Sequence, residues 1–327
     1  METKLVPSYS ALILAGVAFG TVPIFSAILR DLQVSSIEQS FMRLLIGFIT
    51  GGFLICKYLW DSPEDFSLSG SFLQQKTYII QGFLLSLTLN CYLASIALNT
   101  PIGTAAFLIQ IHPLVTFILG YFLLNEKTNK NKVLALFFAL LGVIILTTPW
   151  EYSLFIDSFP GVVLAGISGL SYGLYLIMGK LVQDQRSIMP QSLSFGWILI
   201  WGFITWFPFL IFSNTFLLVP QINFFNIWTY FNPLHLIFGI CLGVIGNVIP
   251  FGLIIVAIKY VSSFKASIFL LIEPIAAIIL AAMVLQELIS VWYLLGGFFI
   301  LIASFLMLKP HVSPPLTKPK GIILELP

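Results

Sequence analysis

Ten apolar stretches, each close to the length of a bilayer-spanning helix, leave this 327-residue chain almost nothing from which to build a soluble domain. They run at about 9–29, 36–58, 77–98, 101–124, 132–148, 160–180, 191–213, 234–258, 264–285 and 291–308. Lipid offers no partner to a bare N–H or C=O, so the predicted fold is an all-α integral membrane protein with ten transmembrane helices. With 59% hydrophobic and only 9% charged residues, the lipid bilayer is the chain's main solvent. The first stretch is too long for the core of a typical signal peptide and reads as a retained helix. The longer connections at 61–75 and 214–232 carry the Ser, Pro, Asn and acidic residues of surface loops.

Placing the cations on this layout tests it, because cytoplasmic loops are enriched in Lys and Arg. With the N-terminus inside, every Lys and Arg except Arg30 and Arg43 falls on the inner side. The expected protein is therefore multi-pass, with both termini cytoplasmic, in a plasma membrane. The net charge of +2 gives no electrostatic case for nucleic acid. Cys56, Cys91 and Cys241 lie in apolar runs without metal-ligand spacing, so they read as small packing residues, and no metal or other cofactor is expected. There is no P-loop, no G-x-S-x-G and no H-E-x-x-H, so the sequence reads as neither an ATP-driven pump nor an enzyme.

Inside the apolar runs one pattern occurs twice. Ile111-His112-Pro113 closes with Asn125-Glu126, and 161 residues further on Ile272-Glu273-Pro274 closes with Gln286-Glu287. Leu14-Ala15-Gly16 returns as Leu164-Ala165-Gly166, and Gly47-Phe48-Ile49-Thr50 as Gly202-Phe203-Ile204-Thr205. Segment n thus matches segment n+5. Five is odd, so the two halves enter the membrane from opposite faces, as in transporters built from inverted-topology repeats around a central cavity. The boundaries expected are 1–148 and 149–308 for the halves and 309–327 for a cytoplasmic tail.

The repeat also points to the chemistry. His112 and Glu273 occupy equivalent positions well inside helices, where ionisable groups normally face protein or a water-filled cavity. Such a pair could bind a polar ligand or relay a proton. Pro23, Pro113, Pro250 and Pro274 each lack an N–H and free a carbonyl four residues back, on Phe19, Ile109, Gly246 and Leu270, so they are expected to kink their helices. Arg43 breaks the symmetry, since Ile198 stands at the matching place. It could hold a ligand carboxylate or phosphate, or pair with Glu38 or backbone carbonyls. Asn90, Gln110 and Asn247 add amides, and Tyr172, Tyr175, Tyr92, Trp197 and Trp201 add aromatic surface to a candidate pocket. G-x-x-x-G at Gly16/Gly20, Gly47/Gly51, Gly169/Gly173 and Gly239/Gly243 reads as close helix packing.

Taken together, Phe41-Met42-Arg43, Ala105-Ala106-Phe107 to Glu126, Ser171-Tyr172-Gly173 and Ala266-Ser267-Ile268 to Glu287 resemble the EamA-type transporters of the drug/metabolite transporter superfamily over residues 9–308. The resemblance implies a ten-helix basket around a central cavity. Asn90, Gln110, His112, Asn247 and Glu273 would line it, and Glu126 and Glu287 would serve at helix ends as structural or gating residues. The function implied is secondary transport of a small organic metabolite, with an amino acid or related compound the leading candidate. Coupling to a proton or a sodium ion, exchange and facilitated diffusion all remain open. A channel or a lipid-handling protein of the same fold is the alternative.

Overall fold

The computed structural model describes residues 5–61, 68–98, 100, 102–147, 159–184, 191–208, 232–284, 286 and 290–308. These residues form helices and no strand. In chain order they are α1 (Leu5–Gly20), α2 (Val22–Asp31), α3 (Ser36–Asp61), α4 (Leu68–Ala97), α5 (Ile102–Ile109), α6 (His112–Leu124), α7 (Lys130–Thr147), α8 (Phe159–Asp184) and α9 (Gln191–Ile204). There follow α10 (Pro233–Gly243), a π-helical turn (Val244–Val248), α11 (Ile249–Ile258), α12 (Ser263–Leu270), α13 (Ile272–Val284) and α14 (Val291–Leu308).

Eight helical segments among the described residues are long and apolar enough to cross a membrane. The two remaining expected spans correspond to α7, which opens with Lys130 and Lys132, and to α9, whose apolar stretch continues past the described residues. Large apolar side chains cover the outside of the bundle; Phe122 is 69% and Phe305 67% exposed. That is the surface hydrocarbon chains solvate.

Every one of the four prolines marks a break. The helix stops at Gly20 and restarts at Val22 ahead of Pro23, and it stops at Ile109 and restarts at His112 ahead of Pro113. The same happens at Leu271 ahead of Pro274, while Pro250 follows the π-turn. The sequence led us to expect bends within continuous helices. The structure instead interrupts the ladder or widens it by a residue, because the ring also crowds the carbonyl four positions back. The repeat's closing residues match in backbone as well: Asn125 and Gln286 both adopt the left-handed conformation, at φ 50° and 59°.

Helix ends are finished locally. Ser35 and Glu38 form a reciprocal capping box at the start of α3, with Ser35 N–H donating to Glu38 Oε2 at 2.8 Å. Glu38, a partner considered for Arg43, is thereby engaged elsewhere. Asn129 caps α7 through Lys132 N–H, and Asn232 caps α10 through Leu234 N–H.

Glycines set how closely the helices approach, and the contacts come in matched sets. α1 lies on α13, where a Cβ on Gly16 would strike Ile272 and one on Gly20 would strike Ala276. Likewise α8 lies on α5 and α6, where Gly169 faces Ile111 and Gly173 faces Val115. The residues faced, Ile272 with Ile111 and Ala276 with Val115, are equivalent in the sequence repeat. Gly166, which the Leu-Ala-Gly echo aligns with Gly16, has open space at its Cβ, so the working equivalent is Gly169, one turn further on. Where α3 crosses α9, Gly47 faces Leu199 while Gly202 lies near Leu44, and Phe48 packs against its own counterpart Phe203 in a tilted pair at 5.0 Å. Thr50 and Thr205 even make the same 2.8 Å bond to the carbonyl four residues back.

Gly51→Ala would place a methyl 2.6 Å from the Gly196 carbonyl oxygen, whereas Gly52→Ala meets nothing within 4 Å. The first is expected to destabilise the purified protein by about 1–3 kcal/mol, as overpacking does. The second should melt like the natural sequence, and equal melting temperatures for the two variants in detergent would refute this account of the interface.

Candidate functional site

The broken helices bring polar groups to mid-depth. Arg43 on α3 is 3% exposed, and its Nη2 donates to the Gly246 carbonyl at 2.7 Å. Gly246 lies in the π-turn just ahead of Pro250, where Ile249 N–H bonds Val244 O five residues back and Pro250 has no N–H to give, so the guanidinium serves a carbonyl at the point where the helix changes register. The bond is returned: Asn247 Nδ2 donates to the Arg43 carbonyl at 2.8 Å. Two hydrogen bonds running in opposite directions thus join α3 to the π-turn. Gly47 makes room for this, because a Cβ there would lie 3.2 Å from Asn247 Nδ2.

A second constellation surrounds the proline break between α5 and α6. Gln110 Oε1 lies 3.2 Å from His112 Nε2, and the Gln110 side chain acts on the Glu273 carboxylate. Glu273 interacts electrostatically with Arg43, Tyr92 and Tyr172, which ties both constellations into one interior region. His112 is fully buried, while Glu273, in the first turn of α13 just after the break at Leu271, is partly buried.

Aromatic rings form the apolar side of this region. Tyr172 packs against His112 at 4.5 Å between ring centroids and edge-on against Phe19 at 6.3 Å; Phe251 stands 5.1 Å from Phe19 and 5.2 Å from Tyr175. Phe19 and Phe251 were not expected at the site. Their signal is position: Phe19 carries the carbonyl freed by Pro23, and Phe251 follows Pro250. Arg43 Nε, Asn247 Oδ1, His112 Nδ1 and the hydroxyls of Tyr172 and Tyr175 are buried without a protein hydrogen-bond partner, as are Trp197 and Trp201 Nε1. Such groups are rare in native interiors and point to water or a ligand.

The remaining candidates divide. Asn90 is fully used in packing: its Oδ1 accepts from Ser40 Oγ on α3 and its Nδ2 donates to Ser86 Oγ at 2.9 Å. Glu126 lies away from this region, beyond the C-terminus of α6. Its Oε1 accepts from Ser263 N–H at 2.9 Å and Ser263 Oγ at 2.7 Å, capping α12, while Oε2 pairs with Lys132 at 3.2 Å. The sequence placed Glu126 at a helix end but not its partner, which stands 137 residues away. Glu287 lies outside the described residues.

A helical bundle with apolar flanks, broken spans and buried polar groups at the breaks defines a polytopic membrane protein of the transporter class. The family model described as "EamA-like transporter family" matches residues 6–148 and again 159–309, so it is present twice, and the chain belongs to that family. A protein of Archaeoglobus fulgidus described as an uncharacterized transporter is 26% identical over 293 residues, which is 89% of this chain and 93% of that one. The Bacillus subtilis uncharacterized transporter YoaV is 24% identical over 231 residues, covering 71% and 75% respectively. One crystal structure superposes with a TM-score of 0.68 over 94% of this chain and 96% of its own, at 14% identity, a likeness of fold.

Glu126→Ala removes the acceptor of two hydrogen bonds at the start of α12 and the partner of a half-buried lysine. The expected loss is about 1–3 kcal/mol, as when a buried donor is stranded. Thermal melting of the variant measures it, and an unchanged melting temperature would remove Glu126 from the structural framework.

Proposed function

We propose that this protein is a secondary transporter of a small organic metabolite, working by alternating access around the region between Arg43, Gln110, His112, Asn247 and Glu273. The observation that carries the reading is the origin of those residues: Arg43, Gln110 and His112 come from the first half, Asn247, Tyr172 and Glu273 from the second. Binding between two halves that can rock against each other is how such carriers expose one site to either face in turn. Ten helices in two inverted five-helix halves, 1–148 and 149–308, are supported by the matched glycine contacts and by the exchange of Gly47·Leu199 for Gly202·Leu44. The distribution of Lys and Arg supports a plasma-membrane protein with cytoplasmic termini.

The chemistry of the site suits a compact solute with one polar end and one planar or apolar end, as an amino acid or related compound has. Arg43, Glu273 and the orphaned amide and imidazole atoms would meet the polar end, and Tyr172, Phe19 and Phe251 the rest. Glu273 and His112 also offer a place for a coupling proton.

The test is uptake and exchange by proteoliposomes across a broad metabolite panel. Saturable transport with competition is expected, and its absence would sink the proposal, as would linear, non-saturating flux of the kind a channel gives. Glu273→Gln and His112→Ala should each slow the leading activity about tenfold or more, the size of one lost charge-assisted contact. Wild-type rates in both variants would move the site elsewhere.

A further inference from the structure

An arginine stays charged at any physiological pH, and placing one inside a membrane protein is costly unless its donors are met. The groups that meet Arg43 here are neutral. One is the Gly246 carbonyl, and the other, acting through the backbone of Arg43, is the Asn247 amide. Among the described residues the ion pair within 4.0 Å is that of Lys132 with Glu126, so no described carboxylate touches the guanidinium. Arg43 Nε and Asn247 Oδ1 are both buried and unpartnered. The positive charge is therefore fixed in place, with Glu273 acting on it electrostatically from beyond 4.0 Å and with Nε still short of an acceptor.

We propose that Pro250 is a positioning residue for Arg43: its missing N–H presents the Gly246 carbonyl, which with Asn247 holds the guanidinium in place for an oxyanion of the substrate, a carboxylate or a phosphate. This rests on the transport reading, in which Arg43 faces the substrate. The device has a simple logic. Pro250 has no N–H to offer the turn before it, and the π-turn shifts the ladder by a residue there, so a carbonyl is left to hold a cation from another helix. The π-turn adds a residue at the same place and turns Asn247 toward α3, so one local irregularity supplies both members of the clasp. The second half has Ile198 where the first has Arg43, so the oxyanion is bound off the pseudo-symmetry axis and on one side only.

Two measurements on the purified full chain test this. In the first, Arg43→Gln is made alone and together with Pro250→Ala. The alanine returns an N–H to Gly246, so the drop in melting temperature caused by Arg43→Gln should shrink to less than half in the Pro250→Ala background. Equal drops would overturn the pairing. In the second, thermal shifts are titrated with sodium benzoate and with benzylamine as simple aryl probes of opposite charge. Benzoate should stabilise the natural sequence and benzylamine should not, and Pro250→Ala should weaken benzoate about tenfold, the effect of misplacing one charge-assisted contact. Equal benzoate affinity in the two proteins, or none in the natural sequence, would overturn the oxyanion role. Should Pro250→Ala fail to accumulate, Asn247→Leu removes the other member of the clasp and is expected to weaken benzoate in the same way. Proteoliposomes inactive towards every metabolite would sink the transport reading while leaving both measurements to decide the fate of the clasp.

Discussion

A carbonyl without a donor, in a solvent that cannot supply one, is the constraint that organises this molecule. Four prolines create four such oxygens, on Phe19, Ile109, Gly246 and Leu270, each within a segment that must otherwise satisfy itself. At Gly246 the answer is a charged side chain from a distant helix. At Ile109 the break lets another helix come close: Gly169 has no Cβ, and one placed there would come within 3.2 Å of that oxygen and 2.3 Å of its neighbour on Leu108. Both breaks therefore shape contacts between helices as well as the helix itself. The polar groups gathered to mend the helices are then available to a solute.

The interface between the halves has a character that suits the proposed alternating access. Its backbone approaches rely on absent side chains, at Gly16, Gly20, Gly47, Gly51, Gly169 and Gly173, rather than on strong polar bonds. Dispersion contacts of this kind are individually weak and can be exchanged for similar ones as a surface slides or rocks. The polar links across the halves are localised and differ in kind. Glu126 holds Ser263, Thr116 meets Ser267 at 2.7 Å, Lys265 reaches Tyr9, Ser168 donates to the Thr88 carbonyl, Tyr78 meets Ser194, and Arg43 is clasped by Gly246 and Asn247. A bundle pinned throughout by such bonds would resist the motion. One pinned at a few points has discrete places at which to be released.

Much of this architecture was legible from residue order. Helix positions followed from apolar length, and the helix breaks from proline. The equivalence of Asn125-Glu126 with Gln286-Glu287 extended to a shared left-handed backbone that Asn tolerates and Gln adopts under strain. What escaped the sequence was pairing. Arg43 and the free carbonyl of Gly246 were both apparent, yet nothing along the chain says that the one reaches the other. The Leu-Ala-Gly echo fixed a register one turn away from the contact that matters, because Gly166 and Gly169 are indistinguishable until a partner helix is laid against them. Asn90 illustrates the same point from the other side: a buried amide in a membrane helix suggests a ligand, and the sequence did not show that serines on a neighbouring helix and on its own preceding turn engage both its oxygen and its nitrogen. The π-turn left no trace in composition at all.

Symmetry and its violation divide the labour. The scaffold repeats itself down to the packing of Phe48 against Phe203, and in the proposed transport cycle such a repeat would offer two related conformations, one for each half in either role. A site that repeated equally would present two copies of the same chemistry across the axis and would favour ligands as symmetric as itself. This site does not. Arg43 opposes Ile198, His112 opposes Glu273, and the π-turn of the eighth segment has only a regular helix, α4, as its counterpart in the third. Each asymmetry sits at or beside a proline break, where the helix already has to recruit an outside group and where the identity of that group is free to vary without disturbing the packing. Divergence between the halves therefore concentrates where it alters ligand chemistry most and the fold least.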